Sequence, residues 1–107
     1  MNTYMLFGSY VEGEGRAGLL ADGGTSRAAQ IEALMASVGG TAREIHYAFG
    51  DIDLFAIIEA PSDEAALAAE LAATSTGRVK VKVTPLMTPA QLDEAAKMTG
   101  QYRAPGA

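Results

Sequence analysis

The chain has 107 residues, of which 49% are hydrophobic and 20% charged, and its mean hydropathy is +0.10. This size and composition predict one folded domain and argue against a disordered chain. The net charge of −5 disfavours binding to nucleic acid or to an anionic membrane surface. With no cysteine and a single histidine, the sequence offers neither disulfides nor a multi-histidine metal site. We therefore predict no metal and no cofactor.

The N-terminal residues lack both the basic leader and the long apolar segment of a signal peptide. No stretch approaches the roughly 18 apolar residues that cross a bilayer. We therefore expect a soluble, cytoplasmic protein without a membrane partner.

The first part of the chain predicts a strand, a loop and a helix. Residues 3–10 are rich in aromatic residues and have apolar side chains at both odd and even positions, which is typical of a short strand covered on both faces. Five glycines fall within residues 11–24, which predicts a loop with at most one helical turn. Apolar residues recur at helical spacing over 25–38, and the helix is expected to start at Thr25 or Ser26 and stop at a glycine pair.

A hairpin is predicted next. Residues 41–49 alternate between apolar and polar, as expected of a half-buried strand with Arg43, Ile45 and Tyr47 on one side. A tight turn at Gly50 separates them from a more apolar strand over 52–60, so the two strands should pair antiparallel.

Two helices and one strand complete the pattern. A helix capped by Ser62 should run to residue 73 with Leu67 and Leu71 in its apolar stripe. Residues 78–86 alternate in the manner of an edge strand. A capping box and an early proline predict a short last helix ending near residue 98. We expect residues 1–98 to form the domain and 99–107 a loose tail.

The resulting order is β-α-β-β-α-β with an additional C-terminal helix. It predicts an α+β fold with a ferredoxin-like antiparallel sheet, whose first and third strands are central. Two helices cover only one face of such a sheet, yet the central strands carry apolar side chains on both faces. We therefore predict a homodimer in which two sheets pack face to face and form an α/β barrel.

The sequence resembles the GYD domain family, within the dimeric α/β-barrel superfamily, over about residues 3–92. The most specific match is the segment 50–64, in which Gly50 and Asp53 fit the family's turn and residues 59–63 fit its Glu-Ala-Pro-x-Asp segment. The family's tyrosine is replaced, because Ile52 stands at the corresponding position. The resemblance implies a small dimeric domain without a settled activity.

Two residues are candidates for proton transfer. His46 is the single histidine of the chain and shares a strand face with Glu44, whose carboxylate could orient the imidazole as a general base. The alternative is an outward-facing polar residue on an edge strand. Asp53 could act as an acid or base, or it could accept the N–H groups of the hairpin turn or pair with Arg43.

Three further residues are candidates for ligand binding: Tyr10, Tyr47 and Arg43. Tyr10 begins the glycine-rich loop and is the tyrosine most expected to face a cavity, and that loop could serve as a lid. Three functions stay open at this point. The chain could bind a small, largely apolar molecule between sheet and helices, catalyse a cofactor-independent monooxygenase- or isomerase-like reaction, or serve as a purely structural subunit.

Overall fold

The computed structural model describes residues 1–48 and 50–107. Its strands are β1 (Asn2–Tyr10), β2 (Thr41–Tyr47), β3 (Leu54–Ala60) and β4 (Val79–Pro85), and its helices are α1 (Glu14–Asp22), α2 (Gly24–Ser37), α3 (Asp63–Thr74) and α4 (Pro89–Lys97). The predicted end of the second strand, Phe49, lies outside the described residues. None of the helices in the described ranges has the length and apolarity needed to cross a bilayer.

The strands form one open antiparallel sheet in the order β2-β3-β1-β4. The α+β class is thus confirmed, with β1 and β3 in the centre and β2 and β4 at the edges. The barrel is not formed within a single chain, because both edges of the sheet are open.

The core lies between one face of the sheet and the helices α2 and α3. Alternate residues of β1 and β3 point into it, including Tyr4, Leu6 and Ile58, while Met35 of α2 packs against them. On α3 the buried residues are Ala66 and Ala69. Small side chains therefore face the sheet where α3 crosses it.

The prediction that Leu67 and Leu71 form the buried apolar stripe of α3 is wrong. Leu67 and Leu71 are 50% and 59% exposed, because the helix turns its alanines towards the sheet instead. The predicted start of this helix is confirmed, since Ser62 Oγ accepts the backbone N–H of Ala65 at 3.1 Å.

The glycine-rich segment is also corrected, because it contains a regular helix, α1, rather than a loop. Gly23, at φ +85°, ends α1 and begins α2, so neither Thr25 nor Ser26 serves as the N-cap. Its N–H donates to Leu19 O at 2.8 Å. A left-handed glycine satisfies a helix end without strain, which allows the two helices to follow one another directly.

Opposite the helices, the sheet has a second face that we call the open face. Its centre is apolar and half-buried, and it consists of Met5, Phe7, Phe55 and Ile57. The rings of Phe7 and Phe55 lie 6.2 Å apart. The described part of the chain provides no layer of helices over this face.

Candidate functional site

A cavity of about 360 Å³ lies between the sheet and helices α1, α2 and α3. Its floor is apolar and is built by Leu6, Leu54 and Val81 of the sheet and by Ile31 and Leu34 of α2. These are the same side chains that form one end of the core. The volume falls within the range of sites that hold small molecules, about 300 to 1,000 Å³.

Two glycines of α1 determine how closely this helix approaches the cavity. A Cβ on Gly15 would lie 2.0 Å from the carbonyl oxygen of Arg78, so only glycine permits the observed contact with the residue that precedes β4. Gly18 also lines the cavity, but a Cβ there would meet nothing within 4 Å. Helix α1 therefore forms one wall of the cavity while leaving its interior free.

Two ion pairs lie at the rim and connect α1 to its neighbours. Arg27 of α2 is 3.6 Å from Asp22, and Arg78 is 3.5 Å from Glu14. All four residues line the cavity. Because each guanidinium has a carboxylate beside it, the charges at the rim balance.

Tyr10 lines the cavity, and Tyr47 lies beside it without lining the cavity itself. The Tyr47 hydroxyl donates to Gly24 O at 2.9 Å and so holds the first turn of α2. Partial burial raises the pKa of Tyr47, and Tyr10 acts in the same direction while Arg27 opposes it. The Tyr47 hydroxyl therefore stays protonated at neutral pH and acts as a donor.

Asp53 immediately precedes β3, rather than lying within the strand, and connects three parts of the chain. Its carboxylate accepts the backbone N–H of Tyr10 at 2.9 Å and lies 3.8 Å from Arg16. Its own N–H donates to Gly8 O, and its carbonyl accepts from Ala48 N, both at 2.9 Å. The carboxylate was predicted to accept N–H groups of the turn, whereas the observed backbone donor is Tyr10 at the end of β1.

The expected pair between Asp53 and Arg43 is wrong, because Arg43 lies 3.6 Å from Glu59. The register of β2 shifts between Ala42 and Glu44, so Arg43 is the extra residue of a bulge. A bulge reverses the alternation that the sequence pattern assumes. Arg43 therefore does not join Tyr47 on one side of the strand, and Ala42 packs against the core instead.

His46 lies on the open face and is exposed, with its ring 6.3 Å from that of Phe55. It does not line the cavity, and neither does Asp53. Of the predicted site residues, the cavity thus includes Tyr10 alone. Sequence reasoning missed its charged rim, because Asp22 and Glu14 were assigned to a loop whose helical geometry depends on a tertiary contact of Gly15.

A second depression of about 330 Å³ lies beside the start of α3 and has an acidic wall that includes Asp63 and Glu70. Both carboxylates are already engaged. Asp63 accepts the Tyr4 hydroxyl at 2.5 Å, and Glu70 accepts the N–H of Val83 at 2.8 Å. Among residues 1–48 and 50–107, no group of three or more acidic, His or Cys side chains is arranged to hold a metal ion.

These features define an α+β domain that holds a cavity of ligand size between an antiparallel sheet and its helices. The family model for the GYD domain matches residues 4–96, so the chain belongs to the GYD domain family. No curated protein and no solved structure matches the chain.

Proposed function

We propose that the chain is a small-molecule-binding domain that works as a homodimer, and that its ligand is a small, largely apolar molecule held between sheet and helices. The cavity of about 360 Å³ is the observation that carries the ligand. Its floor would contact the apolar body of the molecule, and Tyr10 at its edge offers a polar group that could fix the orientation.

The balanced rim favours an uncharged ligand over a strongly charged one. Arg27 and Arg78 both have a carboxylate partner within 4 Å, so an anionic ligand would have to compete with Asp22 or Glu14. A cationic ligand would compete with the arginines in the same way. Apolar contact with the floor then supplies most of the binding free energy.

Binding is better supported than catalysis. Proton transfer needs an acid or base within hydrogen-bond reach of the bound molecule. His46 is on the other face of the sheet, and the Asp53 carboxylate is occupied by Tyr10 N–H and Arg16. The raised pKa of Tyr47 also disfavours a phenolate base at neutral pH.

The test uses two leucine substitutions on the same helix. Gly18 lines the cavity and has open space around its Cβ position, so Gly18→Leu should fill the cavity. Ala17 is exposed and does not line the cavity, so Ala17→Leu is the matched control. Uncharged aromatic probes, namely naphthalene, indole and 2-naphthol, would be titrated and followed by saturation-transfer NMR.

We expect the parent and Ala17→Leu chains to bind at least one probe alike, and Gly18→Leu to bind it at least about tenfold more weakly, since its side chain would occupy the site. Binding that is equal in all three chains would locate the probe elsewhere. Absence of binding to the parent chain by every probe would refute an apolar ligand site.

The open face supports the homodimer. Within residues 1–48 and 50–107, no layer of helices covers the four apolar side chains in its centre, and burying them between two chains would remove them from water. Charges flank this centre with opposite signs, since Lys80 and Lys82 lie on β4 and Glu44 lies on β2. A twofold axis parallel to the strands would place the β2 edge of one chain opposite the β4 edge of its partner, bringing unlike charges together.

Charge reversal tests this arrangement. Glu44→Lys and Lys82→Glu should each weaken the dimer by about tenfold, and the double variant should recover most of the loss, because the pair is restored with its signs exchanged. Sedimentation velocity over a dilution series gives the dissociation constant. Glu32→Lys, an exposed change of equal charge on α2, is the control. A parent chain that sediments as a monomer at micromolar concentration would refute the homodimer.

A further inference from the structure

The C-terminal arm, residues 86–107, projects from the body of the domain. The arm contains α4, which has no buried residue, and every position from 86 onward is exposed. The radius of gyration is 16.8 Å, whereas about 13 Å is expected for a compact chain of this length. The residues that the structure describes therefore bury none of the side chains of α4.

Helix α4 is nevertheless well defined at its start. Thr88 Oγ1 accepts the N–H of Gln91 at 3.1 Å, and the Gln91 side chain accepts the N–H of Thr88 at 2.8 Å. Pro89 occupies the first helical turn. A capped helix of nine residues is still too short to be stable alone in water, so it needs a surface to pack against.

The arm is also apolar on one side. Leu92 shares a helix face with Ala95 and Ala96, whereas Asp93, Glu94 and Lys97 lie on the other side of α4. Large hydrophobic side chains before and after the helix are exposed as well, and they are Leu86, Met87, Met98 and Tyr102. A concentration of exposed apolar side chains of this kind is typical of an interaction surface.

We propose that the C-terminal arm packs against a second copy of this chain and extends the dimer interface beyond the open face. The inference rests on the proposed homodimer. The arm starts where Leu86 N donates to Thr3 O at 2.9 Å, at the end of the sheet where β1 begins and β4 ends. Thr3 and Thr84 at this end belong to the open face, so the arm is continuous with the surface that the partner would cover.

The charge of the arm agrees with this partner. Asp93 and Glu94 are balanced by Lys97 and Arg103, so the side chains of the arm carry no net charge. It therefore lacks the basic face with which an amphipathic helix binds an anionic membrane, and it does not repel a chain of net charge −5. In an isologous dimer, both arms make the same contact, so each apolar side chain of the arm contributes to the buried interface area twice.

The absence of cysteine permits a direct test with one introduced thiol. Thr99→Cys in the arm would carry a nitroxide label, and this chain would be mixed with the cysteine-free parent chain, which is enriched in ¹⁵N and carries no label. Only contacts between two chains can broaden amide signals in the ¹⁵N chain. Sedimentation velocity on the same mixture establishes independently whether the dimer is present.

We expect broadening at amides of the partner's body, and dilution should abolish it. A dimer without such broadening would overturn the arm contact and leave the homodimer intact. A monomer would overturn the homodimer and the arm contact together. Broadening that requires added anionic vesicles would assign the arm to a membrane instead.

Substitutions in the arm give a second readout. Leu92→Ser should weaken the dimer by about tenfold or more through loss of apolar burial. Glu94→Gln, on the polar side of the same helix, should leave the dissociation constant unchanged. Neither residue is buried in the chain itself, so folding of the domain should be unaffected. Equal dissociation constants for both variants and the parent would overturn the contact.

Discussion

Removal of the Asp53 carboxylate should destabilise the fold measurably. The carboxylate accepts Tyr10 N–H at 2.9 Å, and a hydrogen bond to a charged group contributes about 1.5 to 3 kcal/mol. The pair with Arg16 is 3.8 Å long and half-exposed, so it adds at most about 1 kcal/mol. We expect Asp53→Ala to lower the free energy of unfolding by about 2 to 3 kcal/mol.

Asp53→Asn separates the two contributions. An amide oxygen can still accept Tyr10 N–H but has no charge for Arg16, so a loss of about 1 kcal/mol is expected. Asp51→Ala is the matched control in the same turn, because the hydrogen bond at that residue uses its backbone carbonyl and survives the change. Its effect should stay within about 0.5 kcal/mol.

Urea denaturation followed by far-ultraviolet circular dichroism measures all three variants, provided that the slope against denaturant is unchanged. The order Asp53→Ala, Asp53→Asn, Asp51→Ala, from most to least destabilising, would establish Asp53 as a residue that joins β1 to the β2–β3 turn. Equal stability of Asp53→Ala and Asp51→Ala would refute this reasoning. It would also leave Asp53 free for the chemical role that the sequence pattern raised.

Three further predictions concern a buried tyrosine and two glycines of α1. The hydrogen bond to Asp63 raises the pKa of Tyr4, so the stabilising effect of this hydrogen bond should be complete below pH 10 and be lost as the pH rises further. Tyr4→Phe should lower the free energy of unfolding by about 1 to 2 kcal/mol at pH 8. In urea titrations, the same variant should also lose less stability than the parent chain as the pH rises above 10. Gly15→Ala should destabilise by about 1 to 3 kcal/mol in the same assay, because its methyl group would meet Arg78 O. Gly18→Ala on the same helix should stabilise by up to about 1 kcal/mol, since glycine is a poor helix former and the space is free. A reversed sign for either glycine would contradict the described position of α1.

The strand and cap patterns were predictable because they are local. Alternation identified β4, and the capping residues Ser62 and Thr88 identified the starts of α3 and α4. The central positions of β1 and β3 followed from the apolar side chains that these strands carry at both odd and even positions. Each of these signals depends on residues only a few positions apart.

The features that the sequence did not predict depend on contacts between distant residues. Helix α1 is disfavoured by its glycines, yet Gly15 is what permits contact with the Arg78 carbonyl, far along the chain. Leucine at 67 and 71 was expected inside, but the close approach of α3 to the sheet selects alanine. The bulge at Arg43 is a register shift that hydrophobic alternation cannot reveal.

The small residues around the cavity distinguish a ligand site from a packing defect. Gly18 of α1 and Ala72 and Ala73 of α3 line a space that larger side chains would fill, with a gain in apolar contact. Gly18→Leu is therefore expected to raise the stability of the domain while it blocks the cavity, which is the usual opposition between stability and a binding site. In a purely structural subunit, the same substitution would raise the stability of the domain without loss of probe binding, because no ligand site would be blocked. The stability and the probe affinity of this one variant, measured together, therefore decide between the two functions.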